Sequence, residues 1–214
     1  MRVLKQISRF LLGLVVLGLY LSGGTAQTVS APSDASAATF ALLSRGYFER
    51  DWSYTCTSFA TERRNNRTYL LTAGHCIEPR REYALIPDKE ASEIMTVTVE
   101  KVFRKQDVAV FSVAEILNMV PLGHSPARAD KVSIIGWPYG MGKFRYDGRI
   151  SAAPSSATKN MLVVYVPGVE KGMSGSAVFC SNQGAVCGVV VGIYAASPAF
   201  IAAEPIYNAT LPQE

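Results

Sequence analysis

The sequence predicts an all-β protein, because short strand-forming segments recur along the chain from about residue 53 onward. They are rich in β-branched and aromatic residues, as in MTVTV at 95–99 and VVVGIY at 189–194, and Gly, Pro, Asn and Asp separate them. Eleven short strands at this spacing are typical of a β-barrel or β-sandwich. A turn-rich stretch near residues 118–130 divides them into two groups of five or six. The predicted strands are 53–60, 67–72, 82–87, 93–103, 107–113, 131–136, 143–152, 161–167, 176–180, 186–194 and 200–206.

The first 26 residues have the composition of a secretory signal peptide. Three basic residues and no acid precede an uncharged apolar run of 12 residues, which small residues follow up to Ala26. This run is shorter than the roughly 20 residues that span a bilayer, so the mature chain is expected to have no stable membrane span. The alternative is an uncleaved N-terminal anchor. Both interpretations place the remaining chain outside the cytosol, secreted or periplasmic.

The charge balance gives no support for a nucleic-acid partner. The full chain has 21 Lys and Arg residues against 17 Asp and Glu residues, and residues 1–26 contain three of the bases and no acid. Removing that segment leaves a net charge of only +1. After it, residues 27–43 begin with small polar residues that are typical of a disordered linker or a pro-segment. The rest is long enough for two small barrels, over 44–118 and 119–214.

The chain has an even number of cysteines, which in an exported protein indicates two disulfides. Spacing alone allows three pairings of Cys56, Cys76, Cys180 and Cys187. A structural zinc site is the competing use of four cysteines, and the lack of any CxxC pair disfavours it. No metal or organic cofactor is therefore expected.

Three residues are candidates for chemistry, and each lies beside a predicted strand. His75 ends the apolar segment LLTAGHC, Asp107 opens DVAVFSV, and Ser174 lies in the glycine-flanked turn GMSGS. Taken singly, each has an ordinary explanation as a surface, strand-boundary or turn residue. Together they supply the base, the orienting acid and the nucleophile that acyl transfer by serine requires.

These three blocks, TAGHC, DVAV and GMSGS, resemble the signature segments of trypsin-like (chymotrypsin-fold) serine peptidases. The segment VSIIGWPYGMGKFRYDGRIS at 132–151 is similar to the Gly-x-Pro-x-Gly block of the HtrA-like branch, and the resemblance covers roughly residues 53–206. It implies two packed six-stranded antiparallel β-barrels with the active site at their seam. HtrA-like proteins usually carry a PDZ domain after the protease, and none is expected here because the sequence ends at Glu214.

The resemblance also implies roles for individual residues. Ser174 corresponds to the nucleophile, His75 to the general base and then acid, and Asp107 to the acid that orients the imidazole. The backbone N–H groups of Gly172 and Ser174 correspond to the oxyanion hole. The family pattern further pairs Cys56 with Cys76, which leaves Cys180 to pair with Cys187.

Two departures from the family pattern bear on activation and specificity. Met173 precedes the serine where many trypsin-like enzymes have an aspartate that binds a freshly cut N-terminus, so activation by that ion pair is not expected. Gly168 lies where the charge at the bottom of the substrate pocket is set, so a preference for Arg or Lys is not implied. The resemblance places Ala195, Ala196 and Ser197 near the pocket wall, where small residues would admit small or medium apolar side chains.

The sequence thus predicts a secreted serine endopeptidase that acts on protein or peptide substrates. A rival hypothesis is a catalytically silent trypsin-like barrel that serves as a protein-binding module. An esterase of the α/β-hydrolase type fits poorly, because that fold places the serine before the histidine and needs long helices.

Overall fold

The structure is a computed structural model that describes residues 33–88, 93–195 and 197–206. The predicted signal peptide, residues 1–26, lies outside the described residues. Within them the chain is largely β, with thirteen strands, one short α-helix, α1 (Ser33–Ala37), and three single-turn 3-10 helices. Every strand pair is antiparallel. The all-β prediction is therefore confirmed.

The first half of the chain forms a seven-stranded sheet in the order β5-β4-β1-β2-β3-β7-β6. This sheet curls around an apolar cluster that includes Leu42, Leu70 and Phe111, all fully buried. Its strands are β1 (Thr39–Gly46), β2 (Ser53–Arg64), β3 (Arg67–Ala73), β4 (Arg81–Ile86), β5 (Met95–Thr96), β6 (Thr98–Phe103) and β7 (Val108–Val113).

The second half forms a closed six-stranded barrel in the order β10-β13-β12-β11-β8-β9. Its interior is filled by β-branched and aliphatic residues such as Ile134, Leu162 and Ile201, which are fully buried. The strands are β8 (Lys131–Gly136), β9 (Phe144–Ala152), β10 (Leu162–Tyr165), β11 (Ala177–Cys180), β12 (Ala185–Tyr194) and β13 (Ser197–Pro205). A barrel joined to a curled sheet is the chymotrypsin-like double-barrel fold that the resemblance implied.

A third apolar cluster joins the two halves and forms the seam between them. Phe59 and Leu71 of the first sheet share it with Phe179 and Val189 of the barrel, and all four are buried. This shared cluster packs the first sheet against the barrel.

Residues 33–43, the described part of the segment predicted as a linker or pro-segment over 27–43, are folded. That part contains α1 and most of β1, which pairs with both β2 and β4 inside the first sheet. Ala35 and Ala38 are buried in the seam cluster. A segment of Ala, Ser and Thr has the composition of a disordered chain, and here the same small residues allow close packing instead. The first sheet therefore begins at Thr39, before the predicted boundary at residue 44.

Two disulfides hold strand ends in place. Cys56 of β2 is bonded to Cys76, just after β3, and the two Cα atoms are 6.2 Å apart. Cys180 at the end of β11 is bonded to Cys187 near the start of β12, with the Cα atoms 5.9 Å apart. The first bond anchors the short segment that contains His75.

Candidate active site

The strand register brings His75 and Asp107 together. In the antiparallel pair of β3 and β7, Ala73 lies opposite Val108, so the residues just after β3 meet the residue just before β7. The Gly74 N–H donates to the Asp107 carbonyl at 2.7 Å. A Cβ atom on Gly74 would lie 2.9 Å from the Val108 nitrogen, so this approach requires glycine.

The Asp107 carboxylate holds His75 with two hydrogen bonds. The His75 backbone N–H donates to Oδ1 at 2.6 Å, and the imidazole Nδ1 lies 2.8 Å from Oδ2. An ionised carboxylate accepts only, so the ring proton is on Nδ1 and Nε2 is left as an acceptor. Asp107 has a φ of 52°, an uncommon backbone conformation for a residue other than glycine. The imidazole remains 47% exposed and is accessible from solvent.

Ser174 lies in the turn between β10 and β11, and this turn packs on the first sheet. The Ser174 carbonyl accepts from the Thr57 N–H at 2.8 Å. Gly175 has a φ of 83°, and a Cβ atom there would lie 3.0 Å from the Ala73 nitrogen and collide with the Thr57 carbonyl oxygen. The serine turn thus contacts the end of β3, two residues before His75. Within the described residues the Ser174 hydroxyl has no hydrogen-bond partner, so its bond to the imidazole is not formed in this structure.

The backbone N–H groups of Gly172 and Ser174 have no acceptor in the described part of the chain. The carbonyl groups of the same two peptides, those of Lys171 and Met173, do have partners. The Lys171 carbonyl accepts from the Tyr139 N–H at 2.8 Å, and the Met173 carbonyl accepts from the Ser176 N–H at 3.0 Å. In a trans peptide the C=O and N–H groups point in opposite directions, so both unpaired N–H groups are turned away from these partners. Free, oriented N–H groups are the donors that an oxyanion site needs.

Two hydroxyl groups of the first sheet bind the Gly172 carbonyl, and sequence reasoning did not identify them. Tyr54 Oη donates at 2.6 Å and Thr57 Oγ1 at 3.0 Å. These residues flank Cys56 on β2, far from GMSGS in the chain. No motif marks them, because their importance depends on how the two halves pack.

A cavity of about 350 Å³ lies beside Ser174. Its apolar lining comes from Val169, Met173, Val190, Ile193 and Ile201. Tyr139, Glu170 and Lys171 also line it, and the Tyr139 hydroxyl donates to Glu170 Oε2 at 2.9 Å.

The expected pocket residues are not those that line this cavity. Gly168, Ala195 and Ser197 are absent from its lining, and Ala196 lies outside the described residues. The neighbouring residues Val169 and Ile193 form the walls instead. The expected residue Ala195 follows the end of β12, while the wall residues Val190 and Ile193 lie within that strand. The packing that decides which of them faces the cavity is not visible in a single sequence.

Glu204 on β13 is an acid that no sequence motif identifies as a candidate. Burial raises its pKa to about 7, and the nearby negative charge of Asp107 acts in the same direction. Its carboxyl group is therefore held in the protonated form at mildly acidic pH.

One cluster of potential metal ligands is present among the described residues, formed by Cys56, His75 and Cys76. Both cysteines are bonded to each other, so neither offers a thiolate. No helix in the described ranges has the length and apolar character needed to cross a membrane.

A double-barrel fold with a histidine–aspartate pair and a glycine-flanked serine at the seam defines the class of chymotrypsin-fold proteins. The family model of the trypsin-like peptidase domain matches residues 56–189, which is more than half of the chain. The protein therefore belongs to the trypsin-like peptidase domain family. No curated protein sequence matches the chain.

Solved structures of bacterial proteases have the same fold. The serine endoprotease from Yersinia pestis superposes with a TM-score of 0.65 at 21% identity, over 80% of this chain and 61% of its own. The Rv3671c protease from M. tuberculosis in its active form gives 0.64 at 18% identity, over 83% and 80% of the two chains. The HtrA-type protease AlgW with a decapeptide gives 0.69 at 18% identity, over 84% and 64%. The chain thus spans less than two thirds of the length of two of these three proteins.

The packing of the serine turn on the first sheet predicts a large difference between two glycine substitutions. Gly175→Ala adds a Cβ against the backbone of Thr57 and Ala73, and we expect a loss of at least about 3 kcal/mol in the free energy of unfolding. Gly184→Ala is the matched control, because Gly184 has a φ of 62° with no atom within 4 Å of the added Cβ. It should cost only about 1 kcal/mol. Urea unfolding of both variants measures this, and equal losses would contradict the described contact.

The raised pKa of Glu204 predicts a pH-dependent stability. Between about pH 4.5 and 7 the unfolded chain loses the carboxyl proton while the folded chain keeps it, so the free energy of unfolding falls as pH rises through this window. Glu204→Gln removes this contribution. We expect the variant to be more stable than the wild type at pH 8 and similar to it at pH 4, as measured by urea unfolding at both values. A variant that lost stability at pH 8 would show that the ionised carboxylate is favoured in the fold.

Proposed function

We propose that the protein is a serine endopeptidase that hydrolyses peptide bonds through an acyl-enzyme. Ser174 Oγ attacks the scissile carbonyl carbon while His75 Nε2 takes the hydroxyl proton. The imidazolium then gives that proton to the leaving amine as the C–N bond breaks. Water, deprotonated by the same nitrogen, attacks the ester and releases the acid and the free serine.

The single observation that carries the proposal is the double hydrogen bond from His75 to the Asp107 carboxylate beside the Ser174 turn. It fixes the ring orientation and selects the tautomer with a free Nε2, which is what a general base needs. Asp107 would stabilise the imidazolium by its negative charge. In structures without substrate, catalytic hydrogen bonds are often long and tighten on binding, so the unpaired Ser174 hydroxyl is compatible with this role.

The unpaired N–H groups of Gly172 and Ser174 support the second half of the mechanism. As the carbonyl becomes tetrahedral its oxygen acquires negative charge, and these donors would stabilise that oxyanion. Loss of one such donor typically costs 10²–10³ in kcat. They are held by the fold before substrate arrives, so little reorganisation is needed at the moment of reaction.

The cavity beside Ser174 supports a preference for an apolar side chain at the cleaved position. Its deep residues, Met173, Val190 and Ile201, carry no charge and are largely or fully buried. An ammonium or guanidinium group placed among these three would lose its hydration, and the acid of the lining, Glu170, already accepts a hydrogen bond from Tyr139. A substrate with a medium-sized aliphatic residue would instead gain from burial of that side chain.

Export of the protein fits the same account. Two disulfides persist in oxidising compartments and are rare in the cytosol. With the signal-like composition of residues 1–26, they support a secreted or periplasmic enzyme.

A binding module that uses the same barrel without turnover is the alternative, and the unpaired Ser174 hydroxyl is the observation that favours it. In that case the cavity would hold a peptide side chain, and no acyl-enzyme would form. The two functions differ in one chemical property, the nucleophilicity of Ser174.

The Ser174→Ala substitution, together with a fluorophosphonate probe, tests the proposal. The wild-type protein should be labelled at Ser174 in the folded state and should cleave a peptide p-nitroanilide with leucine at the cleaved position. Ser174→Ala should lose labelling entirely and lose at least about 10³ in kcat, because only the oxyanion donors and binding remain.

A matched control is Ser176→Ala, which removes the other hydroxyl of the same turn, a buried one with no hydrogen-bond partner. It should retain both labelling and cleavage. Absence of labelling in the folded wild type, with labelling of an authentic protease in the same sample, would favour the binding module.

A further inference from the structure

The oxyanion turn, defined here as residues 170–176, needs external support to keep its shape. Gly172 has a φ of 93°, and glycine populates both signs of φ about equally. The peptide before it has little intrinsic resistance to turning over, which would remove the Gly172 N–H from the site. The bond from the Tyr139 N–H to the Lys171 carbonyl holds this peptide at one end. Met173 is buried and uncharged, so it provides no ion pair to hold this turn.

Hydroxyl groups from the first sheet provide an anchor on the other side of Gly172. Thr57 is fully buried, and its Oγ1 accepts from the Trp137 N–H at 2.9 Å while it donates to the Gly172 carbonyl at 3.0 Å. Tyr54 Oη donates to the same carbonyl at 2.6 Å. A carbonyl oxygen has two lone pairs, so both donors are satisfied at once.

The ring of Tyr54 fits between two glycines that leave room for it. A Cβ atom on Gly140 would lie 2.8 Å from the Tyr54 Cγ, and one on Gly172 would lie 2.7 Å from its Cε1. Burial raises the pKa of Tyr54 well above its ordinary value, so the phenol keeps its proton and remains a donor at neutral pH. Tyr54 is therefore held by close packing of its ring against Gly140 and Gly172 as well as by its hydrogen bond.

We infer that Tyr54 and Thr57 are positioning residues that fix the oxyanion turn, by binding the Gly172 carbonyl from the first sheet. The inference rests on the proposed function and deepens it. The site would be assembled by packing of the two halves, without an ion pair from Met173 to a freshly cut N-terminus. The first sheet would thus supply the anchor of the oxyanion donors in addition to His75 and Asp107.

Variants at Thr57 separate positioning from folding. Thr57→Val keeps the volume and removes the hydroxyl, and Thr57→Ser keeps the hydroxyl. With the leucine p-nitroanilide substrate, Thr57→Val should lower kcat about tenfold and leave KM within about twofold, because the oxyanion forms only in the transition state. Thr57→Ser should restore most of kcat. Thr57→Val combined with Tyr54→Phe should approach the 10²–10³ loss of a whole oxyanion donor.

A second readout is the affinity of a peptide boronic acid with the same leucine residue, which forms a tetrahedral adduct with an activated serine. This affinity should fall by the same factor as kcat in each variant. Thr55→Val is the matched control, since it removes a hydroxyl from the same strand whose partner is Ser44 and not the turn. It should change neither kcat nor boronate affinity. Urea unfolding of every variant shows whether the protein is folded under the assay conditions.

Failure of this inference and failure of the proposed function give different results. If the wild type cleaves the substrate and the double variant retains kcat within twofold, Tyr54 and Thr57 do not position the turn. If the wild type neither cleaves nor is labelled at Ser174, the proposed function fails. In that event a crystal structure of Thr57→Val still decides the positioning: a turned Lys171–Gly172 peptide supports it, and an unchanged peptide overturns it.

Discussion

The close approach of Gly74 to Asp107 is the constraint on which the candidate site depends. The register of β3 against β7 places the two residues opposite each other, and only a residue without a side chain leaves room for the backbone contact. The Gly74 N–H is bound to the Asp107 carbonyl, and the next residue, His75, contacts the carboxylate through its backbone N–H and its imidazole Nδ1. The disulfide at Cys76 then limits movement of this segment from its other end. A side chain 47% exposed to solvent is thereby held in a defined orientation without being buried.

Contacts across the seam between the two halves likewise hold the Ser174 turn in a defined position. Its turn belongs to the barrel, yet it is bonded to β2 of the first sheet and packs through Gly175 on the end of β3. The contacts that fix the turn are backbone and hydroxyl groups in a buried setting, where unpaired polar groups are costly and paired ones are well ordered. The cavity is lined by residues of the barrel, and the seam core beneath contains large buried side chains from both halves, such as Phe59 and Phe179.

Much of this architecture was predictable from local sequence patterns. The alternation and composition of segments such as VVVGIY specify strands, and the motifs around His75, Asp107 and Ser174 identify the three candidate residues because each adjoins a strand end. The first described residues were not predictable in this way, since the small residues of α1 and the start of β1 carry no hydrophobic period. Tyr54, Thr57 and the cavity wall were invisible for another reason: their roles arise from contacts between residues that are distant in the chain, such as the bond from Tyr54 to Gly172. Glu204 likewise acquires its raised pKa from burial, to which the nearby charge of Asp107 adds, and both depend on how β13 packs.

A crystal structure of the protein inactivated by a peptide phosphonate tests the central claim most directly, because it records the reacted serine and its surroundings together. We expect phosphorus to be bonded to Ser174 Oγ, with His75 still bound to Asp107. The phosphonyl oxygen should lie within about 3 Å of the Gly172 and Ser174 nitrogens. Its peptide side chain should occupy the cavity between Val190 and Ile201. A phosphonate bonded elsewhere, or an adduct whose oxygen faces away from both N–H groups, would contradict the account.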